Sequence, residues 1–281
     1  MAMKTILVPT ENHAAMRSAL ETALLLARRC DSYIEGFALQ FGINEFSAID
    51  MGGGLSLETF KQESQEEAAQ AKKLFEAFMA EQKVPRANGI STALSFGWLP
   101  DAPEGESFVG SYGRVFDVIV LSRPDVNTTG LHNKSIESGL FESGRPILIA
   151  PPQSKSQIGA NILIAWNRST EQAHTTALAM PLLERAERVT VLTVTGGTEV
   201  PGPSTEQMVR NLQRNGVKAA AMSVEIGNRA TGEAVLATAE QLGCDLLIKG
   251  AYTQSRLRQL IFGGTTRHIL SNASLPVLLA H

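Results

Sequence analysis

The chain has 281 residues, with 25 lysines and arginines against 28 aspartates and glutamates, so its formal net charge is −3. This length suggests one large domain or two ordinary ones. A hydrophobic fraction of 43% is enough to build a buried core, which excludes wholesale disorder. Because the basic residues form no block, a nucleic-acid partner bound mainly through its phosphates is not expected.

The sequence contains no signal for membrane insertion or export. No run of about 18 apolar residues is present, so we expect no membrane-spanning helix. The first residues lead directly into an apolar strand, without the apolar core and cleavage site of a secretory signal. Cys30 and Cys244 are too few and too far apart for a disulfide framework or a CxxC site. We therefore predict a cytoplasmic protein in a reducing compartment.

Short β-branched runs alternate with longer helical patterns, which is typical of βαβ units and a mainly parallel sheet. The first strand, at 4–10, is followed by a helix whose apolar stripe runs from Ala15 to Ala27. The other strands predicted for the first half lie at 33–39, 90–96, 117–121 and 146–150. The same order recurs in the second half, where strands are predicted at 161–167, 189–194, 217–224, 245–249 and 275–279. The pattern indicates an internal duplication.

The first half carries an extra segment, at about 44–83, between its second and third strands. It contains the turn Gly52-Gly53-Gly54 and a helix predicted from about Glu58 to Gln82, with Phe75 and Phe78 in its apolar stripe. This helix either covers its own sheet or forms a lid or partner-binding surface. The Pro- and Ser-rich stretch 151–159 is typical of a linker, so we predict domains at 1–152 and 160–281.

A glycine-rich loop follows the strand predicted at 245–249. Gly250 would turn the backbone off the strand, and Gly263 and Gly264 would precede a helix, with Thr265 and Thr266 adding hydroxyl groups. A helix N-terminus attracts anions through its unpaired N–H groups and the helix dipole, and a triphosphate would fit. The alternative is an ordinary turn and cap. The P-loop and dinucleotide fingerprints are absent.

The whole chain resembles a tandem universal stress protein, with two copies of that α/β fold in one polypeptide. The resemblance is carried by the glycine-rich loop and by segments 6–10, 162–167, 245–250 and 275–279. It implies two doubly wound, mainly parallel five-stranded sheets with helices on both faces, similar to the adenine nucleotide alpha hydrolases. It also implies that the halves pair through their last strands as a pseudo-dimer, with further association into homodimers open.

The nucleotide-binding branch of this family has the loop motif Gly-x2-Gly-x9-Gly-Ser/Thr. Gly250 matches the first glycine, and Thr253 stands in place of the second. Gly263 matches the third glycine, Gly264 replaces the Ser/Thr, and Thr265 follows one place later. The nine-residue spacing is therefore kept, while two positions of the motif depart from it.

The resemblance implies further contacts to a nucleotide. Asn167 takes the place of a ribose-contacting aspartate, and it keeps hydrogen-bonding capacity without the charge. Ala165 and Trp166 precede it, Val194 lies where the second strand contacts adenine, and Tyr252 lies in the loop. For Trp166 and Val194, core packing is the alternative to a contact.

A single nucleotide site per chain is predicted, in the second half. In the first half, Glu11 stands at the position equivalent to Asn167, where a carboxylate would repel phosphate, and Pro124 interrupts the loop. Arg256, Arg258 and His268 either reach phosphates or have solvated or packing roles.

The resemblance implies a stress-response regulatory protein that binds ATP or a related adenine nucleotide, with Mg²⁺ held only through the phosphates, and that acts on an unidentified protein partner. We expect no efficient catalysis, because no base to activate water is evident; slow ATP hydrolysis is a further hypothesis. The alternative function is a nucleotide-independent interaction module with a closed phosphate site.

Cys30 is either an activated or an inert thiol, and Asp245 is expected to fix a turn.

Overall fold

The computed structural model describes residues 3–40, 57–90, 92–123, 131–197, 199–251 and 264–281. The predicted turn at 52–54 and most of the glycine-rich loop lie outside the described residues. The strands in the described part are β1 (Thr5–Thr10), β2 (Tyr33–Ala38), β3 (Ser95–Trp98), β4 (Val118–Leu121), β5 (Ile147–Ile149), β6 (Asn161–Ala165), β7 (Arg188–Thr195), β8 (Ala219–Glu225), β9 (Leu246–Gly250) and β10 (Val277–Ala280).

The described helices alternate with these strands, as the periodicity predicts. They are α1 (Met16–Cys30), α2 (Leu57–Glu81), α3 (Ser107–Gly113), α4 (Leu131–Glu142), α5 (Thr170–Leu178), α6 (Met180–Leu183), α7 (Thr205–Arg214), α8 (Thr231–Gln241) and α9 (Gly264–Asn272). None of the described helices is both long and apolar enough to cross a bilayer.

The strands form one sheet in the order β3-β2-β1-β4-β5-β10-β9-β6-β7-β8. Within each half all neighbouring strands are parallel, and the first strand lies between the second and the fourth. This is the doubly wound order that the duplication predicts. Each face of the sheet carries an apolar core with residues from both halves.

The two halves are joined by an antiparallel ladder between β5 and β10, in which Leu148 pairs with Leu278. The expected pairing of the last strands is therefore confirmed, and it occurs inside one chain. Because this pairing is antiparallel while each half is parallel, the carboxyl ends of the strands point to opposite edges of the sheet in the two halves.

One strand differs from the prediction. The third strand was expected at 90–96, but β3 begins at Ser95, and Ile90 lies exposed before it. β3 is an edge strand whose outer side is bridged by Arg86, through a pairing with Phe96. The edge strand therefore consists of only four paired residues, and Ile90 is not part of it although it is apolar.

The extra helix α2 packs on its own sheet through its C-terminal half. Phe75, Phe78 and Met79 are buried in the core, and the Phe75 ring lies directly over Gly36 of β2. Arg17 of α1 adds an ion pair to Glu81 at 2.7 Å. The C-terminal half of α2 therefore covers its own sheet, which is the first of the two roles that the sequence left open. In the N-terminal half, most side chains at 58–70 are exposed.

In each half an aspartate before the fourth strand accepts hydrogen bonds from two backbone amides at the start of the first strand, an arrangement called the aspartate clamp here. The Asp117 carboxylate accepts hydrogen bonds from the amides of Lys4 and Thr5, at 2.7 and 3.0 Å. The Asp245 carboxylate accepts from the amides of Ala160 and Asn161, at 3.0 and 3.1 Å. The clamp ties the start of the first strand to the start of the fourth. Asp245 therefore fastens two strands to each other, whereas the role expected for it was to fix a turn.

The contact between Gly36 and Phe75 makes a testable prediction about α2. A Cβ atom at position 36 would lie 2.6 Å from the Phe75 ring, so we expect Gly36→Ala to lower the free energy of unfolding by about 1–3 kcal/mol. Urea denaturation measures the change. The same substitution in a Phe75→Leu background should cost clearly less, because the smaller side chain can move aside. Equal costs in both backgrounds would contradict this packing.

Candidate functional site

The candidate site lies at the carboxyl edge of the second half, between the ends of β6 and β9. These strands are neighbours in the sheet, and ligands of open α/β sheets bind at the carboxyl edge of such a switch point. Ala165 ends β6, Gly250 ends β9, and α9 begins nearby at Gly264. Five candidate loop residues lie outside the described residues: Tyr252, Thr253, Arg256, Arg258 and Gly263.

The first turn of α9 is open at Gly264. This residue is exposed, and no atom of the described chain lies within 4 Å of the position that a Cβ atom would take. Thr265 is half-buried and Thr266 is buried. The first amides of a helix have no partner within the helix, and the helix dipole makes this end positive. In the described part of the chain, Gly264 therefore adds no side chain over the start of α9.

A lysine that the sequence reading did not select lies against this turn. The Lys249 ammonium donates to the Thr266 Oγ1 atom at 2.9 Å and to the Gly250 carbonyl at 2.7 Å. Burial lowers the pKa of Lys249 to about 8. No carboxylate pairs with it among the described residues. The available signal was a single lysine at the end of the apolar run Asp245-Leu-Leu-Ile-Lys249.

Gly250 is held by the helix that follows β6. Its amide donates to the Gln172 Oε1 atom at 2.7 Å, and Gln172 is itself buried in α5. A Cβ atom at position 250 would lie 2.4 Å from the Gln172 backbone nitrogen. Glycine is thus required here by the close approach of α5, and its amide is already occupied by a protein side chain.

The residues after β6 form a tight turn into α5. Trp166 is 3% exposed, and its indole N–H donates to the Pro203 carbonyl at 3.0 Å, so its ring packs in the core. The Asn167 Oδ1 atom accepts from the Ser169 amide at 3.2 Å, an arrangement typical of an Asx turn. Asn167 is half-buried, and within the described ranges no partner is recorded for its Nδ2 atom.

The segment after β7 folds over this turn. The Val200 amide donates to the Asn167 carbonyl at 3.2 Å, and Arg168 forms an ion pair with Glu199 at 3.0 Å. Val194, near the end of β7, is buried in the same apolar cluster against which Ala165 packs. The residues predicted to contact adenine and ribose therefore lie at the same edge of the sheet, and Asn167 is the half-buried polar residue among them.

The His268 side chain packs against the first turn of α8. A Cβ atom at Gly232, in the first turn of α8, would lie 3.1 Å from the His268 Cβ atom. The N-terminal turns of α8 and α9 therefore lie side by side at this edge. The described part of the chain holds no group of three or more potential metal ligands.

The corresponding edge of the first half differs. Glu11 and His13 follow β1, and the His13 Nε2 atom lies 3.4 Å from the Ser122 hydroxyl after β4. Pro124 lies outside the described residues. Cys30 is buried, and burial raises its thiol pKa, which favours the inert one of its two alternatives.

The comparisons agree with this duplicated architecture. The model of the universal stress protein family matches residues 160–281. A universal stress protein from Archaeoglobus fulgidus has a similar structure, with 13% identity and a TM-score of 0.74, over 99% of this chain and 96% of that one. A search of curated proteins gave no match.

Two proteins from Pseudomonas aeruginosa are also similar in structure. A protein of unknown function has 14% identity and a TM-score of 0.55, over 99% of this chain and 92% of that one. A putative universal stress protein has 15% identity and a TM-score of 0.52, over 99% and 93% of the two chains. At these identities the likeness shows the fold. The family model thus places the second half, residues 160–281, in the universal stress protein family, and the first half repeats the same fold.

Proposed function

We propose that the second half binds an adenine nucleotide, ATP or a close relative, at the carboxyl edge of β6, β7 and β9. The observation that carries the proposal is the pairing of an open helix N-terminus at Gly264 with the Lys249 ammonium, which has no carboxylate partner among the described residues. Both features present positive potential to one place. Anions bind at such termini through backbone N–H groups, as phosphates do at the start of helices in other α/β folds.

In the proposed complex the phosphates lie at the first turn of α9, and any Mg²⁺ is held through them. The Asn167 Nδ2 group is available to donate to a ribose hydroxyl. The adenine lies towards Ala165 and Val194, whose side chains belong to the apolar cluster on this face. The proposed site is thus apolar at one end and positive at the other, as a nucleotide requires.

We propose a regulatory role in the stress response for this binding, in the cytoplasm, without efficient catalysis. Occupancy would change the surface that this edge of the second half offers to a protein partner. The alternative, an interaction module built on the extra helix around Phe75 and Phe78, is not favoured, because both side chains are buried under that helix. Association of two chains stays open.

A change of charge at position 264 tests the site. Gly264→Asp places a carboxylate in open space at the positive end of α9, where it favours the helix but repels phosphate. We expect ATP to bind wild type with about one site per chain and the variant at least about tenfold more weakly. Isothermal titration calorimetry measures both.

Gly264→Asn is the matched control, because it adds a side chain of the same size without the charge. It should bind ATP clearly more tightly than the aspartate variant, because both side chains cover the first turn but only the aspartate repels phosphate. An absence of heat with wild type at millimolar ATP would overturn the proposed function. Equal affinities for the aspartate and asparagine variants would show that the phosphates bind elsewhere.

A phosphate-release assay tests the absence of efficient catalysis. We expect wild type to release phosphate from ATP no faster than the Gly264→Asp variant, because the described residues at the turn supply an ammonium and hydroxyl groups rather than a carboxylate base. Release by wild type that is clearly faster, and that is lost in the variant, would assign hydrolysis to this site.

A further inference from the structure

A cavity of about 360 Å³ lies at the edge of the second half where its strands begin. The proposed nucleotide site is at the other edge, where the strands end. Three parts of the chain line the cavity: the linker after β5, the end of α8 with the turn into β9, and the end of α9 with the turn into β10. The lining includes Lys155, Leu236, Glu240, Cys244, Asn272 and Leu275. A volume of this size is sufficient for a small organic molecule.

The electrostatics of the cavity favour a cation. Two helices end there, α8 at Gln241 and α9 at Asn272, and the C-terminal end of a helix has unpaired carbonyls and a negative partial charge. Glu240 adds an exposed carboxylate, for which no ion pair is recorded among the described residues. The Asp245 carboxylate also lines the cavity, while the exposed ammonium of Lys155 opposes this negative potential.

The duplication of the fold identifies the equivalent residues in the first half. Ile119 of β4 pairs with Ile147 of β5. At the same place in the second half, Leu247 of β9 pairs with Val277 of β10. Counting back along the chain from these two pairs gives the residues that correspond to each other: Arg114 and Leu242, Phe116 and Cys244, Glu142 and Asn272, and Arg145 and Leu275.

In the first half, arginine side chains bind the carbonyls at these helix ends. The Arg114 Nε atom donates to the carbonyl of Glu142, the last residue of α4, at 3.0 Å. Arg145 donates to the Arg114 carbonyl from Nε at 3.1 Å and from Nη2 at 2.9 Å. Phe116, in the turn between them, is buried. The second half has neither guanidinium group nor the ring at the corresponding positions, and a cavity is found there.

We infer that this cavity binds a small organic cation, a guanidinium or ammonium group on a short aliphatic stem. The head of the ligand takes the role that Arg114 has in the first half: it donates to the carbonyls at the end of α9 and pairs with Glu240. The stem lies against Leu236 and Leu275, in the room left by the small side chain of Cys244. The inference does not depend on the proposed function, because the two sites lie at opposite edges of the sheet.

Titration of the full chain with butylguanidinium, followed through amide signals in NMR spectra, tests the inference. We expect a dissociation constant of about 1 mM or below, in keeping with the binding energy per atom of small ligands. The shifted signals should belong to the ends of α8 and α9. Butylurea has the same shape without the charge, and it should bind at least about fivefold more weakly. Pentanoate, an anion with an aliphatic stem of similar length, should bind more weakly than butylurea.

Variants of the two charged residues at the surface of the cavity should have opposite effects. Glu240→Gln should weaken the binding of butylguanidinium by about fivefold, and Lys155→Met should strengthen it by a similar factor. Both side chains are exposed, so neither change is expected to impair folding. Glu233→Gln is the matched control, because it removes an exposed carboxylate from the same helix outside the cavity lining, and it should leave the affinity unchanged.

Leu242→Arg introduces into the second half the residue that the first half has at the equivalent position. Its guanidinium group should bind the helix-end carbonyls itself and so block butylguanidinium, while the affinity for ATP stays that of wild type. Equal affinities of wild type for butylguanidinium and butylurea would overturn the inference, as would the absence of any shift with butylguanidinium. Equal affinities of Glu240→Gln and Lys155→Met would also overturn it, whatever the behaviour of Leu242→Arg.

Discussion

The antiparallel ladder between β5 and β10 is the constraint on which the arrangement of the chain depends. It joins two parallel five-stranded halves into one sheet and directs their carboxyl edges in opposite directions. As a consequence, the loop after β4 in the first half meets the C-terminal end of α9 in the second. Arg123 donates there to the carbonyls of Ser271 and Ala273. The helix that carries the candidate anion site is therefore held by a residue of the other half.

A cation lies at each end of α9, and the two contacts differ in whether the helix dipole favours them. At the C-terminus, Arg123 meets unpaired carbonyls and the negative end of the dipole, a favourable arrangement that needs no ligand. At the N-terminus, Lys249 meets the positive end, an unfavourable arrangement in the ligand-free protein. The first contact fastens the C-terminal end of the helix to the first half of the chain.

Much of the fold could be predicted from the sequence because its central strands are buried on both faces and so consist of apolar runs. The paired clamps at Asp117 and Asp245 repeat because each half must fasten its first strand to its fourth. Ile90 misled the prediction of β3, because an exposed apolar residue before an edge strand has the same local pattern as one inside it. The partners of Gly250 and Lys249 could not be predicted, since Gln172 and Thr266 reach them only through the packing of α5 and α9.

Two glycines at motif positions lie in the described chain, and they carry different information about function: Gly250 matches the motif, and Gly264 replaces its Ser/Thr. Gly250 is required by the fold whether or not a ligand binds, because any side chain there would collide with the backbone of α5. Its match to the family motif is therefore weak support for a nucleotide site. At Gly264 neither the backbone conformation nor a neighbouring atom of the described chain demands a glycine. Packing does not explain the bare first turn of α9, whereas an anion that must approach its amides closely does.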